Sequence, residues 1–538
     1  MADNVKTLVI DNFKGSMTPY SNTSNINNGR SYWIDVFGYD PFTRPGDLTW
    51  NESPEQIDPA GAVITDLILA MKSRLESGIV YVYAIGHTGR VYKIQVNDPT
   101  TYNPDYDNPV LLATLTSGTP TFTRGASMDF FGSTERIYIS HDKGVTRIDF
   151  NGSNETVVGV EASWTQNVPK PLQQFLGKLY VGNGTNIAEI DSTATVASYA
   201  KLTPAFPIGS QVRDIKLSRE GNYINIVSTR AALPDITSIA ADTSLLVPTD
   251  SYVFKWNGID TGYTSLITYP SVILTSNVLF GDSEYTMGYD SYSQAVYSPI
   301  RKLLTSLPQV VADSPGPNAV VSTGNLLMWV SNLNIFGVSS AMFLMFGSLS
   351  DYDIEPGFWS MNTATALSPQ TDVVRVPAMS VVSNIAATPS GNGYADNLSG
   401  TPKLYYSTIE ASSAPSTAYR FFKWYMYPTG LGTPLEGIFQ TQNQIFSKKV
   451  AIKEIRVYGD PWVANNEFTV SLVGSGDVVL PNSSQTFTAG TNLTVGEDFA
   501  WYNPSCPPTY SMALRIANSG TSNFVINKVE IDYTQAGK

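Results

Sequence analysis

Histidine and cysteine, which often supply general bases, nucleophiles and metal ligands, are scarce in this chain. Among 538 residues there are two histidines, His87 and His141, and one cysteine, Cys506. A histidine-rich metal site is therefore excluded, an intrachain disulfide is impossible, and a Ser-His-Asp triad has only two bases to choose from. Both histidines fall in predicted hairpin turns, so we expect exposed turn residues rather than catalysts.

Paired carboxylates are the other common source of catalysis, because glycoside hydrolysis needs only two facing carboxyl groups. The 46 acidic residues could always supply such a pair. Asp351, Asp353 and Glu355 are close in sequence, but a solvated acidic loop explains their spacing equally well. The chain has neither a phosphate-binding P-loop nor a dinucleotide fingerprint. We predict no catalytic residue, no cofactor and no metal ligand, and we expect that the protein is not an enzyme.

One short phrase resembles a turn of sialidase-type propellers, the Asp-box with its pattern Ser-x-Asp-x-Gly-x-Thr. The pattern is matched by Ser140, Asp142, Gly144 and Thr146. Arg147 stands where the box usually carries an aromatic residue. In such a turn the Asp carboxylate accepts backbone N–H groups and the Gly permits a positive φ angle. A sialidase would also need an arginine cluster and a nucleophilic tyrosine, which cannot be placed here, so the match supports the fold and not catalysis.

Aromatic side chains could bind sugars or other protein surfaces. We predict that one cluster forms an interface between domains or subunits, and it consists of Phe421, Phe422, Trp424, Tyr425 and Tyr427. A second group, around Trp501 and Tyr502, could stack on a sugar ring. The competing interpretation of both groups is the buried face of a strand, because aromatic rows in strands usually pack into a core.

The elements that would carry these residues are repeated hairpins. Residues 80–94, 137–149 and 179–191 each contain a β-branched and aromatic run, a polar turn with glycine, and a second alternating run. This is the composition that a β-hairpin requires. Weaker copies begin near residues 252, 284, 326 and 404.

The spacing of the leading aromatic residues indicates how the hairpins are arranged. Tyr81 and Tyr138 are 57 residues apart, Tyr138 and Tyr180 are 42 apart, and Tyr180 and Tyr223 are 43 apart. Such periods suit one four-stranded blade for each repeat. The sequence therefore predicts an all-β protein with a β-propeller of about six or seven blades, and a large β-sandwich or irregular barrel is the alternative.

Composition changes along the chain divide it into an N-terminal arm (1–77), a propeller (78–428), and a linker with a C-terminal β-sandwich of jelly-roll type (429–538). The arm should pack against the propeller or a neighbouring subunit. Within it, residues 59–75 predict a helix or a strand pair. Residues 339–347 are strongly apolar and predict a core strand, with an exposed contact surface as the alternative.

Charge and composition exclude several functions. Charged residues make up 15% of the chain and the formal net charge is −13, so a surface that grips nucleic-acid phosphates is not expected. DNA could pass such a surface without adhering to it. The N-terminal residues lack a signal-peptide core and no apolar stretch reaches the length of a bilayer span. We therefore expect folding in a cytoplasm and no membrane span.

The chain as a whole resembles the tail nozzle or tail-hub propellers of short-tailed bacteriophages. Its opening, Ile10-Asp11-Asn12-Phe13-Lys14-Gly15, followed by Asn- and Gly-rich sequence and a Pro-Gly turn, is similar to the way such chains begin. The resemblance implies a virion structural protein that is assembled in the host cytoplasm. It further implies a hexameric ring, contacts with adaptor and fibre proteins of the tail, and DNA in transit without specific binding.

Two other functions remain open at this point. The first is a receptor- or glycan-binding tail appendage, in which the C-terminal sandwich recognises a surface polysaccharide. The second is a propeller enzyme such as a glycosidase or lyase.

Overall fold

The protein is described from a computed structural model, in which nearly all secondary structure is β-strand. The structure describes residues 5–11, 13, 33–37, 44, 46–50, 54–97, 106–230, 235, 237, 249–280, 283–289, 293–297, 307–308, 318, 320–323, 326–335, 338–347, 357–362, 372–382, 403–411, 417–425, 437–476, 478–518 and 523–535. Helical structure in this part of the chain amounts to one 3₁₀ turn, Glu161–Ser163. No helix in these ranges has the length and hydropathy of a membrane span.

The chain divides into two compact units. The propeller unit comprises Glu55–Met342 and Ser368–Lys423. The sandwich unit comprises Met1–Pro54, Phe343–Leu367 and Trp424–Lys538.

Seven antiparallel four-stranded sheets follow one another along the chain. Sheet 1 contains β4 (Ile68–Glu76), β5 (Ile79–Gly86), β6 (Arg90–Gln95) and β7 (Asn108–Thr114). Sheet 2 contains β8 (Met128–Phe131), β9 (Arg136–His141), β10 (Gly144–Ile148) and β11 (Thr156–Val157). Sheet 3 contains β12 (Leu172–Phe175), β13 (Lys178–Asn183), β14 (Asn186–Ile190) and β15 (Val196–Ser198). Sheet 4 contains β16 (Gln211–Leu217), β17 (Ile224–Thr229), β18 (Ser251–Trp256) and β19 (Ser265–Tyr269).

The last three sheets have the same strand order. Sheet 5 contains β20 (Ile273–Phe280), β21 (Ser283–Tyr289), β22 (Ser293–Tyr297) and β23 (Leu307–Pro308). Sheet 6 contains β24 (Val320–Thr323), β25 (Leu326–Ile335), β26 (Val338–Gly347) and β27 (Gly357–Asn362). Sheet 7 contains β28 (Asp372–Val382), β29 (Lys403–Ala411), β30 (Thr417–Tyr425) and, from the N-terminal part of the chain, β3 (Glu55–Gln56).

The first strands of the seven sheets contact one another in a closed cycle, which makes the fold a seven-bladed β-propeller. The contacts join β4 with β8, β8 with β12, β12 with β16, β16 with β20, β20 with β24, β24 with β28, and β28 with β4. Each sheet is a meander that leads outward from its first strand. The predicted propeller is confirmed, and its blade number is seven.

The aromatic residues that revealed the repeat lie in the second strands. Tyr81, Tyr138 and Tyr180 belong to β5, β9 and β13, and Tyr223 directly precedes β17. Tyr138 and Tyr180 are 1% and 0% exposed, so they pack between neighbouring sheets. The copy near residue 252 is different, because Tyr252 lies in β18, the third strand of sheet 4.

Polar side chains join the first strands of neighbouring sheets around the axis. The Asp129 carboxylate in β8 accepts hydrogen bonds from Lys72 in β4 and, at 2.9 Å, from the Gln174 amide in β12. The Asp214 carboxylate in β16 accepts the Asn277 N–H of β20 at 2.9 Å. Each buried carboxylate therefore links two or three blades, and these hydrogen bonds replace some of those that it would make to water.

The ring is closed by the short strand β3, which pairs with β30 of sheet 7. A buried ion cluster fixes this closure. Lys423 near the end of β30 donates at 2.7 Å to the carboxylate of Asp107, which directly precedes β7 of sheet 1, and lies 3.1 Å from the Glu55 carboxylate of β3. The Tyr405 hydroxyl donates to the same Asp107 carboxylate at 2.7 Å, and the Lys403 ammonium lies 4.0 Å from it. We call Asp107, Lys403, Tyr405 and Lys423 the closure cluster.

The predicted arm of residues 1–77 is therefore not one element. Residues 55–56 form β3 and residues 68–76 form β4, so the propeller starts before residue 78. No helix forms over residues 59–75, because the end of this stretch is held as the first strand of sheet 1 by pairing with β5. Residues 339–347 do form strand, within β26, and their side chains lie outside the described part of the chain.

Nine strands of the sandwich unit form its β-sandwich. They are β1 (Lys6–Ile10), β2 (Trp33–Phe37), β31 (Gly437–Thr441), β32 (Gln444–Gly459), β33 (Glu467–Val473), β34 (Gln485–Thr488), β35 (Phe499–Tyr502), β36 (Thr509–Asn518) and β37 (Ile526–Gln535). One sheet has the order β1-β37-β32-β35, and the other has the order β2-β31-β36-β33-β34. The long strand β32 pairs with β36 as well, which makes the two sheets continuous.

Aromatic residues from both sheets form the sandwich core. The Phe468 ring lies 5.1 Å from Phe487 and 4.9 Å from Phe524. Tyr502 in β35 lies 5.8 Å from Phe487 in β34, and its hydroxyl donates to the Ser483 carbonyl at 2.7 Å. These contacts bury one face of each sheet, which confirms the predicted β-sandwich.

The arm also completes this sandwich, which the sequence did not predict. Strand β1 pairs with the C-terminal strand β37 from Lys6 opposite Tyr533 to Ile10 opposite Val529. Phe13 is fully buried and its ring lies 5.2 Å from Phe439. The expectation that the arm packs against the propeller or a neighbouring subunit does not cover this strand, which is part of the sandwich of its own chain. Strands β3 and β4, which also lie within residues 1–77, do belong to the propeller unit.

The closure cluster should contribute strongly to stability. We expect Lys423→Met to lower the free energy of unfolding by about 3–5 kcal/mol, because it leaves the buried Asp107 carboxylate without its closest cation. The matched control is Lys255→Met, since Lys255 bonds Glu220 at 2.9 Å with 29% and 58% of the two side chains exposed. Its cost should stay below about 1 kcal/mol. Urea unfolding measures both, and equal effects would contradict a role of the cluster in closure.

Candidate functional site

In each blade the first strand begins and the second strand ends at the same end of the sheet, because neighbouring strands are antiparallel. We call this end of the propeller the loop face. Two polar clusters lie there, one around His141 and one around His87.

The Asp-box-like turn joins β9 to β10 on the loop face. Asp142 is 1% exposed. Its carboxylate accepts hydrogen bonds from the Thr123 N–H at 2.8 Å, the Thr123 hydroxyl at 2.7 Å and the Arg124 N–H at 2.9 Å. The Ser140 hydroxyl accepts the Ser127 N–H at 2.8 Å. The turn therefore holds the loop that leads into β8, which is the structural role expected of it.

Gly144 has a different role from the predicted one. It does not have a positive φ angle. A Cβ atom at this position would lie 3.0 Å from Cδ1 of the buried Trp164 ring. The glycine is thus required by close packing of the indole against the strand and not by backbone conformation.

A buried lysine completes the turn. Lys170 is 4% exposed and donates to the carbonyls of Asp142 at 2.7 Å, Thr165 at 2.8 Å and Val168 at 3.4 Å. Burial lowers the pKa of Lys170 to about 8. All three ammonium hydrogens have acceptors, so the lysine fastens loops together and is poorly placed to act as a nucleophile.

His141 lies beside this lysine and is 2% exposed. Its Nδ1 accepts the Lys143 N–H at 3.3 Å, and its Nε2 lies 3.2 Å from the Thr146 hydroxyl. Burial, together with the charges of Lys170 and Lys143, lowers the pKa of His141 to about 4. Thr146 is fully buried, so this part of the turn is interior structure.

The second cluster surrounds Asp66, which precedes β4 and is 2% exposed. Its carboxylate accepts the Thr88 hydroxyl at 2.6 Å and the Tyr92 hydroxyl at 3.0 Å. His87 Nδ1 lies 3.7 Å from this carboxylate and accepts the Leu67 N–H at 3.2 Å. The His87 ring packs 4.7 Å from the Tyr419 ring of sheet 7.

This geometry does not build a catalytic triad. A triad needs an imidazole whose Nδ1–H donates to the carboxylate, whereas Nδ1 of His87 is itself an acceptor, which places the hydrogen of the neutral ring on Nε2. Burial lowers the pKa of His87, while the nearby Asp66 carboxylate opposes that shift. The prediction that both histidines are exposed is wrong, because 19% of the His87 side chain is accessible and His141 is almost fully covered.

The described part of the structure adds no support for metal binding. No group of three or more His, Cys, Asp or Glu side chains suited to a metal ion occurs in the described ranges. Asp351, Asp353 and Glu355, the acidic residues considered for catalysis, lie outside those ranges.

The predicted interface aromatics are partly interior. Phe421, Phe422 and Trp424 are 1%, 3% and 1% exposed. The Phe421 ring stacks on Tyr405 at 6.0 Å, and the Phe422 ring stacks on Tyr406 at 5.2 Å. Because these rings are covered within the chain, they are unavailable to another subunit. The side chain of Tyr425 and the whole of Tyr427 lie outside the described part of the structure.

Sequence reasoning missed the buried lysines. Lys423 lies within Phe-Phe-Lys-Trp and Lys403 directly precedes Leu-Tyr-Tyr. A lone charge inside an aromatic strand indicates a buried ion pair, so a signal was present. Its partner, Asp107, comes from a turn some 300 residues away and has no comparable signal.

Comparison with known proteins finds no matching family model and no matching curated protein. Among solved structures, the chain is similar to BBS1N in complex with ARL6DN, with 10% identity, 74% of this chain and 97% of that chain covered, and a TM-score of 0.35. It is similar to the Neurospora crassa Pan2 WD40 domain, with 8% identity, 69% and 96% covered, and a TM-score of 0.35. It is also similar to the Dos1 propeller, with 10% identity, 72% of this chain and 92% of that chain covered, and a TM-score of 0.37. At these TM-scores the similarity supports no inference about this protein, and the fold is assigned from its own strand pairing.

The pKa of His141 has a measurable consequence for stability. The pKa of about 4 in the folded chain lies below the ordinary histidine pKa of 6.5, so between these pH values the unfolded chain binds a proton that the folded chain does not. Stability should therefore fall as the pH is lowered, with His141 contributing about 2 kcal/mol of that fall between pH 7 and pH 5. His141→Gln should remove this part of the pH dependence.

Urea unfolding at pH 7 and pH 5 measures the effect. His87 is the only other histidine, and His87→Gln serves as the matched control that leaves the contribution of His141 in place. An unchanged pH dependence in His141→Gln would show that the imidazole is not held neutral.

Proposed function

We propose that the chain is a structural subunit of the tail nozzle or tail hub of a short-tailed bacteriophage, and not an enzyme. The observation that supports this most is that one N-terminal segment completes both units of the chain. Strand β1 pairs with β37 of the sandwich, and β3 pairs with β30 of the propeller. A role in a particle requires subunits that stay closed under mechanical load, and covered strand edges resist opening and incorrect pairing.

The buried polar groups support the same role. The carboxylates of Asp66, Asp107 and Asp142 each accept hydrogen bonds from other parts of the propeller unit. Their hydrogen-bonding capacity is used in holding loops and blades, which is the function of a scaffold. A reaction centre would instead direct such groups towards a substrate.

The proposed path of DNA is the lumen of a ring of subunits and not the axis of one propeller. The Asn318 side-chain amide donates to the main-chain carbonyls of Leu69 at 2.8 Å and Ala126 at 2.6 Å, and the Asn318 main-chain carbonyl accepts the Met379 N–H at 2.7 Å. Asn318 precedes β24 of sheet 6, while these partners belong to or adjoin sheets 1, 2 and 7. The bonds to Leu69 and Ala126 join sheets that are not neighbours in the ring, so they span its centre.

The net charge of the chain is consistent with DNA transit through a ring of subunits. With a net charge of −13, a ring of these subunits would repel the DNA phosphates and so lower the friction of transit. In the proposed particle the ring is hexameric, contacts adaptor and fibre proteins of the tail, and is assembled in the host cytoplasm.

The proposal predicts a closed oligomer. Purified chain should form a ring of six copies, measured by light scattering after size exclusion and by negative-stain microscopy. Mass spectrometry of purified particles should find the chain at the same copy number. A chain that stays monomeric at high concentration and is missing from particles would refute the proposal.

A further inference from the structure

The sheet of order β1-β37-β32-β35 has one face in the core and one face directed away from it. In β32 the residues Ile455 and Val457 are fully buried, while the alternating Glu454 and Arg456 are partly exposed. We call the second surface the outer face. Trp501 of β35 lies directly opposite Arg456 in the strand register and belongs to this face.

Trp501 is unusual in its exposure. It is 54% exposed, whereas the five other tryptophans whose side chains the structure describes are at most 2% exposed, namely Trp50, Trp164, Trp256, Trp424 and Trp462. No aromatic ring or cation among the described residues covers its indole. An indole fixed on a strand with a free face is a ready stacking platform.

A second exposed aromatic lies on the same flank of β32. Tyr510 at the start of β36 is 56% exposed, and the Lys449 ammonium lies 5.6 Å from its ring centre. Thr509 pairs with Val450, and Trp501 pairs with Arg456. At about 3.3 Å per residue, the two aromatics are about 20 Å apart along β32.

Polar groups occupy the outer face beside the line that joins Trp501 and Tyr510. Arg456 donates to the Asp532 carboxylate at 2.6 Å and lies 3.4 Å from the Glu530 carboxylate. Glu454 lies 3.5 Å from the same guanidinium, and the Tyr458 hydroxyl donates to Glu530 at 3.0 Å. The face therefore presents acceptors and donors in alternation, each still partly open to solvent.

We propose that the outer face binds an extended polysaccharide. Trp501 stacks on one sugar ring and Tyr510 on another further along the chain of rings. The carboxylates of Glu530 and Asp532 accept sugar hydroxyls, and Arg456 donates to ring or hydroxyl oxygens. This activity goes beyond the structural role proposed above and does not depend on it.

Other occupants fit the chemistry less well. Nucleic acid is disfavoured because three carboxylates would face its phosphates, and they outnumber the two cations bonded to them, Arg456 and Lys528. The core of a protein interface is depleted of charged residues, whereas charged groups occupy the middle of this face. Hydroxyl groups both donate and accept, so a sugar chain matches an alternating polar surface that is flanked by exposed aromatics.

The test uses the full chain, because the isolated fragment 446–538 lacks β1, β2 and β31, which complete the sandwich. The chain is applied to an array of purified bacterial capsular, O-antigen and cell-wall polysaccharides, and affinities are then measured by calorimetry for each polysaccharide that binds. We expect binding of at least one polysaccharide. Trp501→Ala and Tyr510→Ala should each weaken it about tenfold, which corresponds to about 1.4 kcal/mol.

Two controls make the test specific. Tyr106→Ala removes an aromatic that is 39% exposed in the propeller unit and should leave affinity unchanged, and Trp501→Tyr should retain most of it because a stacking ring remains. Failure of the full chain to bind any arrayed polysaccharide would overturn the proposal. So would equal affinity of Trp501→Ala and the unchanged chain, or an altered oligomeric state of Trp501→Ala without any change in sugar affinity.

Discussion

Closure by the N-terminal segment is the constraint on which the rest of the structure depends. A ring of sheets buries the apolar faces of its blades only while the first and last sheets stay in contact. In this chain that contact combines apolar packing between sheets 1 and 7 with the two-residue strand β3 and with the Lys423 ammonium, which is bonded to Asp107 next to β7 of sheet 1. Apolar packing is not directional and two residues of backbone pairing add little to it, so the buried ion pair supplies the specificity of the junction.

The same principle recurs in the interior of the propeller. Buried polar residues join elements that apolar packing alone would leave free to slide, as Asp129 does between β4, β8 and β12. Lys170 fastens the loops of the Asp-box-like turn through three carbonyls. Since each such group would be costly if it lost its partner, the network favours a single register of the blades.

Much of this fold could be predicted from local sequence, because the repeated signal is local. Tyr81, Tyr138 and Tyr180 lie at equivalent places in the second strands, and β-branched residues and turns around them specify hairpins without distant partners. The ring arrangement followed from their spacing. The blade number did not, because in sheets 4 to 7 the pattern varies and one aromatic copy, at Tyr252, marks a third strand.

Features that depend on distant partners could not be predicted. Strand β1 pairs with β37 although more than 500 residues separate them in sequence, and nothing in the sequence of either strand identifies its partner. The sequence predicts a conformational role for Gly144, because Trp164, which requires a glycine there, lies 20 residues away and contacts it only in the folded blade. The exposure of Trp501 was likewise not readable from its aromatic neighbours, since Tyr502 beside it is 8% exposed and part of the core.

Hydrogen exchange on a chain that lacks residues 1–57 tests the central claim most directly. Closure by the N-terminal segment predicts that amide protection falls throughout sheet 1, in β4 to β7, and in β32, and not only in the strands β30 and β37 that lose a direct partner. Loss of protection confined to β30 and β37, with sheet 1 and β32 as protected as in the full chain, would contradict it.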